Sequence, residues 1–347
     1  MIHSSLRTGA AVSALALLSL SAAWGAAAPA DLGALDAESA SQSISVTIAL
    51  KPGDAAGAEA LLQHLSTPND ALYQKFLTPD EIAQRFGPSQ ATVDQLTASL
   101  ERQGLTVERT GTALLQATGS PATFEKLFQT SLHQFQSAAG ERFRAPATRA
   151  VVPQDIAASV QGVIGLSTAP AFHSNMKRAP IALSGKRHQG GGSPPTATTD
   201  MPGLLTVADF AELYDVNPLY AKGVTGKGTT LAIVTLASFT TSDVFGYWNS
   251  LGLKTNANRL SVVNVDGGPG APSDASGSDE TTLDVEQSGG IAPGANIIVY
   301  QAPNTNQGFL DAFAQAIKSN KPDTISTSWG EWEFLDNLAN SPVTDPF

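Results

Sequence analysis

The chain has 347 residues, 42% of them apolar and 15% charged, which suits two globular domains and excludes a disordered chain. Twenty basic side chains stand against 31 acidic ones for a net charge of −11, which excludes a sequence-blind nucleic-acid binder, because such a protein needs a basic footprint. There is no cysteine, so disulfide staples and thiol chemistry are excluded as well.

At the N-terminus Arg7 precedes the apolar run Ala10 to Leu20, and the small residues Ala23, Gly25 and Ala27 follow it. This is the layout of an export signal, assigned to residues 1–28, with the mature start expected between Ala26 and Asp31. The run is shorter than the ~20 residues of a spanning helix. The expected product is therefore secreted or periplasmic, with no membrane association after cleavage.

After a short polar spacer, Ile44, Val46, Ile48 and Leu50 alternate with Ser45, Thr47 and Ala49, the period of a half-buried strand. A helix is expected over Ala55 to Leu65. Thr78-Pro79-Asp80-Glu81 predicts the next one, with an N-cap, a proline at the first helical position and a capping-box glutamate. A third helix opens at Ser89 and stops at Gly104, the residue that tolerates the left-handed turn. Strands are expected at Leu105 to Glu108 and Ala113 to Thr118, a helix opening at Ser120-Pro121, and a returning strand at Leu132 to Phe135. Strand, helices, strand, strand, helix, strand is the order of a ferredoxin-like, split βαβ α+β domain, placed at residues 42–168.

The apolar period then lapses. Residues 169–202 hold the basic pairs Lys177-Arg178 and Lys186-Arg187 and the tract Gly190 to Pro195, which reads as a flexible linker open to proteolytic processing. Beyond it, strand patterns at Thr229 to Thr235, Leu260 to Val265, Asn296 to Gln301 and Thr324 to Ser328 alternate with helical ones at Thr241 to Leu251, Asp279 to Ser288 and Gly308 to Ser319. That alternation predicts an α/β domain around a parallel sheet, with its chemistry at the carboxyl ends of the strands. The glycine-rich tract Gly223 to Thr230 precedes a strand and fits no phosphate-loop spacing, so it reads as a turn.

The segment Ser278 to Glu286 places Glu280 and Asp284 four residues apart on one helical face, with Leu283 expected to face a core. Asp279 and Glu286 are expected to be exposed. Two carboxyls held close titrate as a unit, and such a pair can accept a proton from a hydroxyl nucleophile in acid, where a histidine base is already protonated. The ordinary reading of the same spacing is a solvated helix face aided by the helix dipole. All five histidines, His3, His64, His133, His173 and His188, precede residue 203, so residues 203–347 hold no histidine for a Ser-His-Asp triad.

The segments Leu72 to Glu81 (LYQKFLTPDE), Leu100 to Val107 (LERQGLTV) and Pro153 to Leu166 resemble the pro-kumamolisin activation domain of the sedolisin family of serine-carboxyl peptidases. In the second domain Leu213 to Val216, the Glu280–Asp284 pair with Ile291 to Ala295, and Ile325 to Gly330 (ISTSWG) are similar to the same family. The resemblance implies a subtilisin-like α/β domain over residues 203–347, incomplete in this sequence. It implies an acid-acting serine-type endopeptidase zymogen whose general base is Asp284, hydrogen-bonded to Glu280. Ser328, Trp329 and Gly330 would form a wall of the substrate cleft, pairing with an extended polypeptide substrate, and the pro-domain would act as an intramolecular inhibitor.

Some relatives carry a glutamate at the end of the first strand, where this sequence has Thr235. The family's Gly-Thr-Ser nucleophile motif and Gly-Asp-Ser-Gly oxyanion motif do not occur in the 347 residues, nor does its calcium loop. Calcium is thus a cofactor expected from the family without a metal site in this sequence. A chain lacking the nucleophile is expected to be inactive as it stands. The alternative is a non-catalytic secreted module whose pro-domain inhibits a related protease or assists its folding.

Overall fold

The computed structural model describes residues 28–174, 205–253 and 255–330. The segment expected to be an export signal, up to residue 27, the basic pairs Lys177-Arg178 and Lys186-Arg187, and residues 331–347 lie outside the described residues.

In the first domain the strands are β1 (Ala30–Ala34), β2 (Ile44–Leu50), β3 (Thr106–Gly111), β4 (Leu114–Gly119), β5 (Leu132–Gln136), β6 (Arg142–Pro146) and β7 (Val160–Ile164). The main helices are α1 (Ala55–Ser66), α2 (Pro79–Phe86), α3 (Gln90–Arg102) and α4 (Pro121–Phe128). Their starts follow the caps read from the sequence. The Thr78 hydroxyl accepts from the Glu81 backbone N–H while the Glu81 carboxylate accepts from that of Thr78, and Ser89 and Ser120 cap α3 and α4. Gly104 takes the positive φ expected of it, +89°.

Four strands form an antiparallel sheet in the order β3-β4-β2-β7. Val46 and Ile48 of β2, Leu115 of β4 and Val163 of β7 pack against Leu96 and Leu100 of α3 and Phe124 and Phe128 of α4. Burial of such side chains stabilises each by roughly 1.5–3 kcal/mol relative to exposure. The fourth strand of this sheet is β7, not the Leu132 to Phe135 segment expected to fill that place. That segment, β5, lies between β1 and β6 in a separate antiparallel sheet. Its Phe135 packs on Phe143 of β6, the rings 5.8 Å apart, while Leu132 still joins the core beneath the first sheet. The polar spacer is also more ordered than expected, since β1 pairs with β5 and Asp31 bonds to His133 at 2.9 Å.

The second domain has β9 (Thr230–Thr235), α5 (Thr241–Ser250), β10 (Leu260–Asn264), α6 (Ser278–Ile291), β11 (Asn296–Gln301), α7 (Asn306–Lys318) and β12 (Thr324–Ser326). The strands form one parallel sheet in the order β10-β11-β9-β12. Ile233, Ile297 and Val299 pack with Trp248 of α5 and Val285 of α6 on one face. Ala232, Val234 and Tyr300 pack with Ala312 and Ala316 of α7 on the other. Cover on both faces explains why these strands read as nearly unbroken apolar runs.

Candidate active site

Helix α6 carries the carboxyl pair, and its two ends are fixed by tertiary contacts. At its start Gly277 has φ +86°, and a Cβ there would lie 2.7 Å from the Trp329 ring. Only glycine allows the indole to close over this helix end. Beyond its last turn the buried Arg259 guanidinium donates to the carbonyls of Gly289 (3.1 Å), Ala292 (2.9 Å) and Ala295 (2.9 Å). It also lies 4.6 Å from the centre of the Trp248 ring, and the indole N–H of Trp248 donates to the Glu286 carbonyl at 2.9 Å. Burial pulls Arg259 down to about 10, so it stays charged in acid and complements the helix C-terminus.

Glu280 is 6% exposed, which sets aside the solvated-face reading for this carboxylate. Asp284, one turn on, is half-buried. The Ser328 hydroxyl donates to Asp284 Oδ1 at 2.7 Å, while Oδ2 is buried without a hydrogen-bond partner. Burial pushes the Asp284 carboxyl up, the Ser328 hydrogen bond holds it back and the Glu280 charge adds to the rise, leaving it at about 6. The hydrogen bond between Asp284 and Glu280 implied by family resemblance is absent from this arrangement, and the two couple through charge.

Three expectations for α6 are corrected. Leu283 is 40% exposed and faces away from the core. Asp279 and Glu286 are half-buried rather than exposed. Burial, then the charge of Asp243, pushes Glu286 up to about 7. The reason is that α6 is covered by the sheet and by α5, so more of its circumference is enclosed than a surface helix would show.

At the carboxyl end of β9, Thr235 stands between two partners. The Trp329 indole N–H donates to Thr235 Oγ1 at 2.8 Å, the Thr235 and Thr281 hydroxyls are 2.6 Å apart, and Thr281 Oγ1 donates to the Ala237 carbonyl at 3.0 Å. An indole can only donate. Thr235 must therefore pass its own proton to Thr281, which passes its proton on to the carbonyl. This neutral relay holds Trp329, 7% exposed, against the start of α6. Core packing and a place beside the carboxyl pair thus coincide in one residue.

The segment leaving the first domain enters this site. Phe172 lies 4.3 Å, ring to ring, from Phe309, and its backbone bonds twice to the Asn304 side chain, at 3.1 and 2.8 Å. His173 and Ser174, β8, pair antiparallel with Trp329 and Gly330, β13. The Ser174 hydroxyl donates to Glu280 Oε2. Residues 172–174, read from sequence as the beginning of a free linker, are thus held against the second domain beside Trp329 and Gly330. A cavity of about 520 Å³ adjoins them, lined by His173, Ser174, Gly277, Asp279 and Trp329 among others.

Among the described residues, no group of three or more His, Cys, Asp or Glu side chains could hold a metal ion. The calcium implied by the family therefore has no fitting donor set there. No described helix is long and apolar enough to cross a membrane.

Residues 32–169 match the family model of the Pro-kumamolisin activation domain. The chain is 32% identical over 302 residues to Kumamolisin of Bacillus sp. (strain MN-32), covering 83% of this chain and 51% of that protein. It is 29% identical over 333 residues to Xanthomonalisin of Xanthomonas sp. (strain T-22), covering 91% and 38%. With Sedolisin of Pseudomonas sp. (strain 101) it shares 27% over 302 residues, covering 84% and 48%. The chain spans about half, or less, of the length of these curated relatives.

Proposed function

We propose that this chain, a homologue of the sedolisin-family peptidases that carries their pro-kumamolisin activation domain, is the precursor of a secreted or periplasmic, acid-acting serine-type endopeptidase. Its first domain serves as an intramolecular inhibitor. The observation that carries this reading is the strand His173–Ser174, which pairs with Trp329 and Gly330 in the extended, antiparallel manner of a peptide substrate. The order β3-β4-β2-β7 supports a ferredoxin-like first domain, and the order β10-β11-β9-β12, with the site at the strand carboxyl ends, supports a subtilisin-like second one.

Family resemblance implies Asp284 as the base, but Ser328 already occupies its Oδ1 and a serine hydroxyl of the incoming strand donates to Glu280, so the roles are exchanged here and Glu280 is the proton acceptor in the peptidase. Asp284 supports it from behind, with Ser328 fixing Oδ1. With Asp284 near 6, that carboxyl holds a proton in moderate acid, which relieves the site of two adjacent charges. Ser328, Trp329 and Gly330 bind the substrate backbone. The nucleophile and oxyanion groups come from segments of the peptidase that these 347 residues do not supply.

The test is self-processing in acid of the peptidase carrying this chain. Glu280→Gln and Asp284→Ala are each expected to abolish cleavage of the segment after residue 168. Undiminished processing of either variant, with no other protease present, refutes the assignment. Binding of the unprocessed chain to an intact relative would favour the trans-acting inhibitor instead.

A further inference from the structure

An antiparallel sheet backed by helices on one side leaves its other face open. In the first domain that face carries Ser45, Thr47 and Ala49 of β2, Glu108 and Thr110 of β3 and Gln116 of β4. Yet Thr47 is 0% exposed. What covers it is α7 of the second domain. Its hydroxyl points at the Asp311 carboxyl, at 3.3 and 3.4 Å from the two oxygens, and accepts from Gln307 Nε2 at 3.4 Å. Gly165 makes room for Gln307, since a Cβ there would overlap the Gln307 side-chain oxygen.

Asp311 is 7% exposed and has a second carboxyl, Asp266, near enough for its charge to push Asp311 up. Asp266 sits at the rim of a cavity of about 410 Å³ between the two domains, lined also by Glu108, Gln116 and Lys318. Two neighbouring carboxyls do not both ionise easily, least of all when one is buried. Asp311 is the buried member, and Asp266 is open to the cavity. The charged groups facing the pair are Glu108 from the first domain and Lys318 from α7, and among the described residues neither forms an ion pair with it.

We propose that docking of the first domain onto α7 takes up a proton on Asp311, which the docked domain buries beside Asp266, so that acid strengthens this contact. Burial, joined by the Asp266 charge, lifts Asp311 to about 7 in the docked chain. Undocked, it loses the first domain's cover while Asp266 stays beside it in the same domain, so it falls part of the way towards the ordinary aspartate value near 4. The docked state then binds more protons between about pH 4 and 7, and docking weakens as pH rises through that window. Below it both states are protonated and docking is strongest; above it the advantage is gone. Acid release of the inhibitory domain, which the proposed function requires, therefore cannot start at this interface and has to follow cleavage of the segment after residue 168. The inference rests on the peptidase reading for that consequence alone.

The chain has no cysteine, so cysteines placed at the exposed positions Glu101 and Lys321 allow a donor and an acceptor dye to report domain separation in the full chain. Urea titrations at pH 4.5, 6 and 7.5 are expected to show a docking constant falling by up to about tenfold per pH unit. Asp311→Asn, which cannot ionise, should remove most of that slope, and Thr47→Val, which removes a hydroxyl that favours the ionised Asp311, should weaken docking more at pH 7.5 than at pH 4.5. Asp266→Asn provides the same test if the first variant does not fold. A docking constant independent of pH, or one that rises with pH, overturns the proposal, as does an unchanged slope in folded Asp311→Asn. None of these readings needs peptidase activity, so such a failure leaves the proposed function standing.

Discussion

The Ser174 hydroxyl, delivered by the strand that leaves the first domain, donates to the buried carboxylate of Glu280. A hydrogen bond to a charged acceptor contributes about 1.5–3 kcal/mol, so this one bond is a large part of what a two-residue strand can gain. Replacing Ser174 by Asp sets two carboxylates against each other and should free the segment. Cleavage after Phe172 by added chymotrypsin at pH 8 is expected to accelerate roughly tenfold. An unchanged rate would mean that the other contacts of this segment, among them the pairing with Trp329 and Gly330 and those of Phe172, hold it down.

The relay through Thr235 makes Trp329 depend on a hydroxyl where some relatives carry a carboxylate. Thr235→Val has the same shape but leaves the indole N–H without an acceptor, at a cost of about 1–3 kcal/mol. Thr235→Ser should cost much less because the acceptor returns. Urea unfolding followed by tryptophan fluorescence separates the two. Equal stability of Val and Ser variants would show that packing alone seats the indole.

Local chemistry made much of the fold legible. The Thr78–Glu81 capping box, the serine caps at Ser89 and Ser120, and the apolar runs of β9 and β11 are each written within a few adjacent residues. Contacts between distant segments left no such trace. β1 takes its strand character from β5, about a hundred residues on, and β8 is too short to show a period. Arg259 works through carbonyls gathered at the end of another element, so its isolated position among polar residues gave no signal. The carboxyl pair on α6 was visible by spacing, whereas the direction Leu283 faces depends on how the sheet and α5 enclose that helix. Thr47 alternated like an open-face residue, and only the docked α7 explains its burial.

Asp284 gives the second domain its own dependence on pH. Its carboxyl sits at about 6 in the folded chain against the ordinary value near 4 in an unfolded one. The folded state therefore binds more protons between these values, and stability is lost as pH rises through about 4 to 6. Asp284→Asn keeps the acceptor for Ser328 without the charge. After discounting for the half-exposed position, it should add about 1–2 kcal/mol at pH 7.5 and almost nothing at pH 4. Thermal melts at the two pH values check this, and an equal shift at both would assign the effect to packing.

Arg259 is the residue whose loss should disturb the site without touching it. Three carbonyls at and beyond the end of α6 accept from its guanidinium, and no water-exposed group stands ready to replace it in a pocket where it is 5% exposed. Arg259→Met fills part of the space and keeps contact with Trp248, but it leaves the carbonyls without donors and removes the cation from the helix terminus. The expected loss is about 2–4 kcal/mol. Arg259→Lys should recover only part of it, since an ammonium cannot reproduce the planar fork that reaches all three oxygens. The measurement is chemical denaturation of both variants, joined to amide exchange along α6. If exchange near Glu280 and Asp284 stays as slow as in the parent chain while global stability falls, the anchor serves the fold alone; faster exchange there would tie it to the placement of the carboxyl pair.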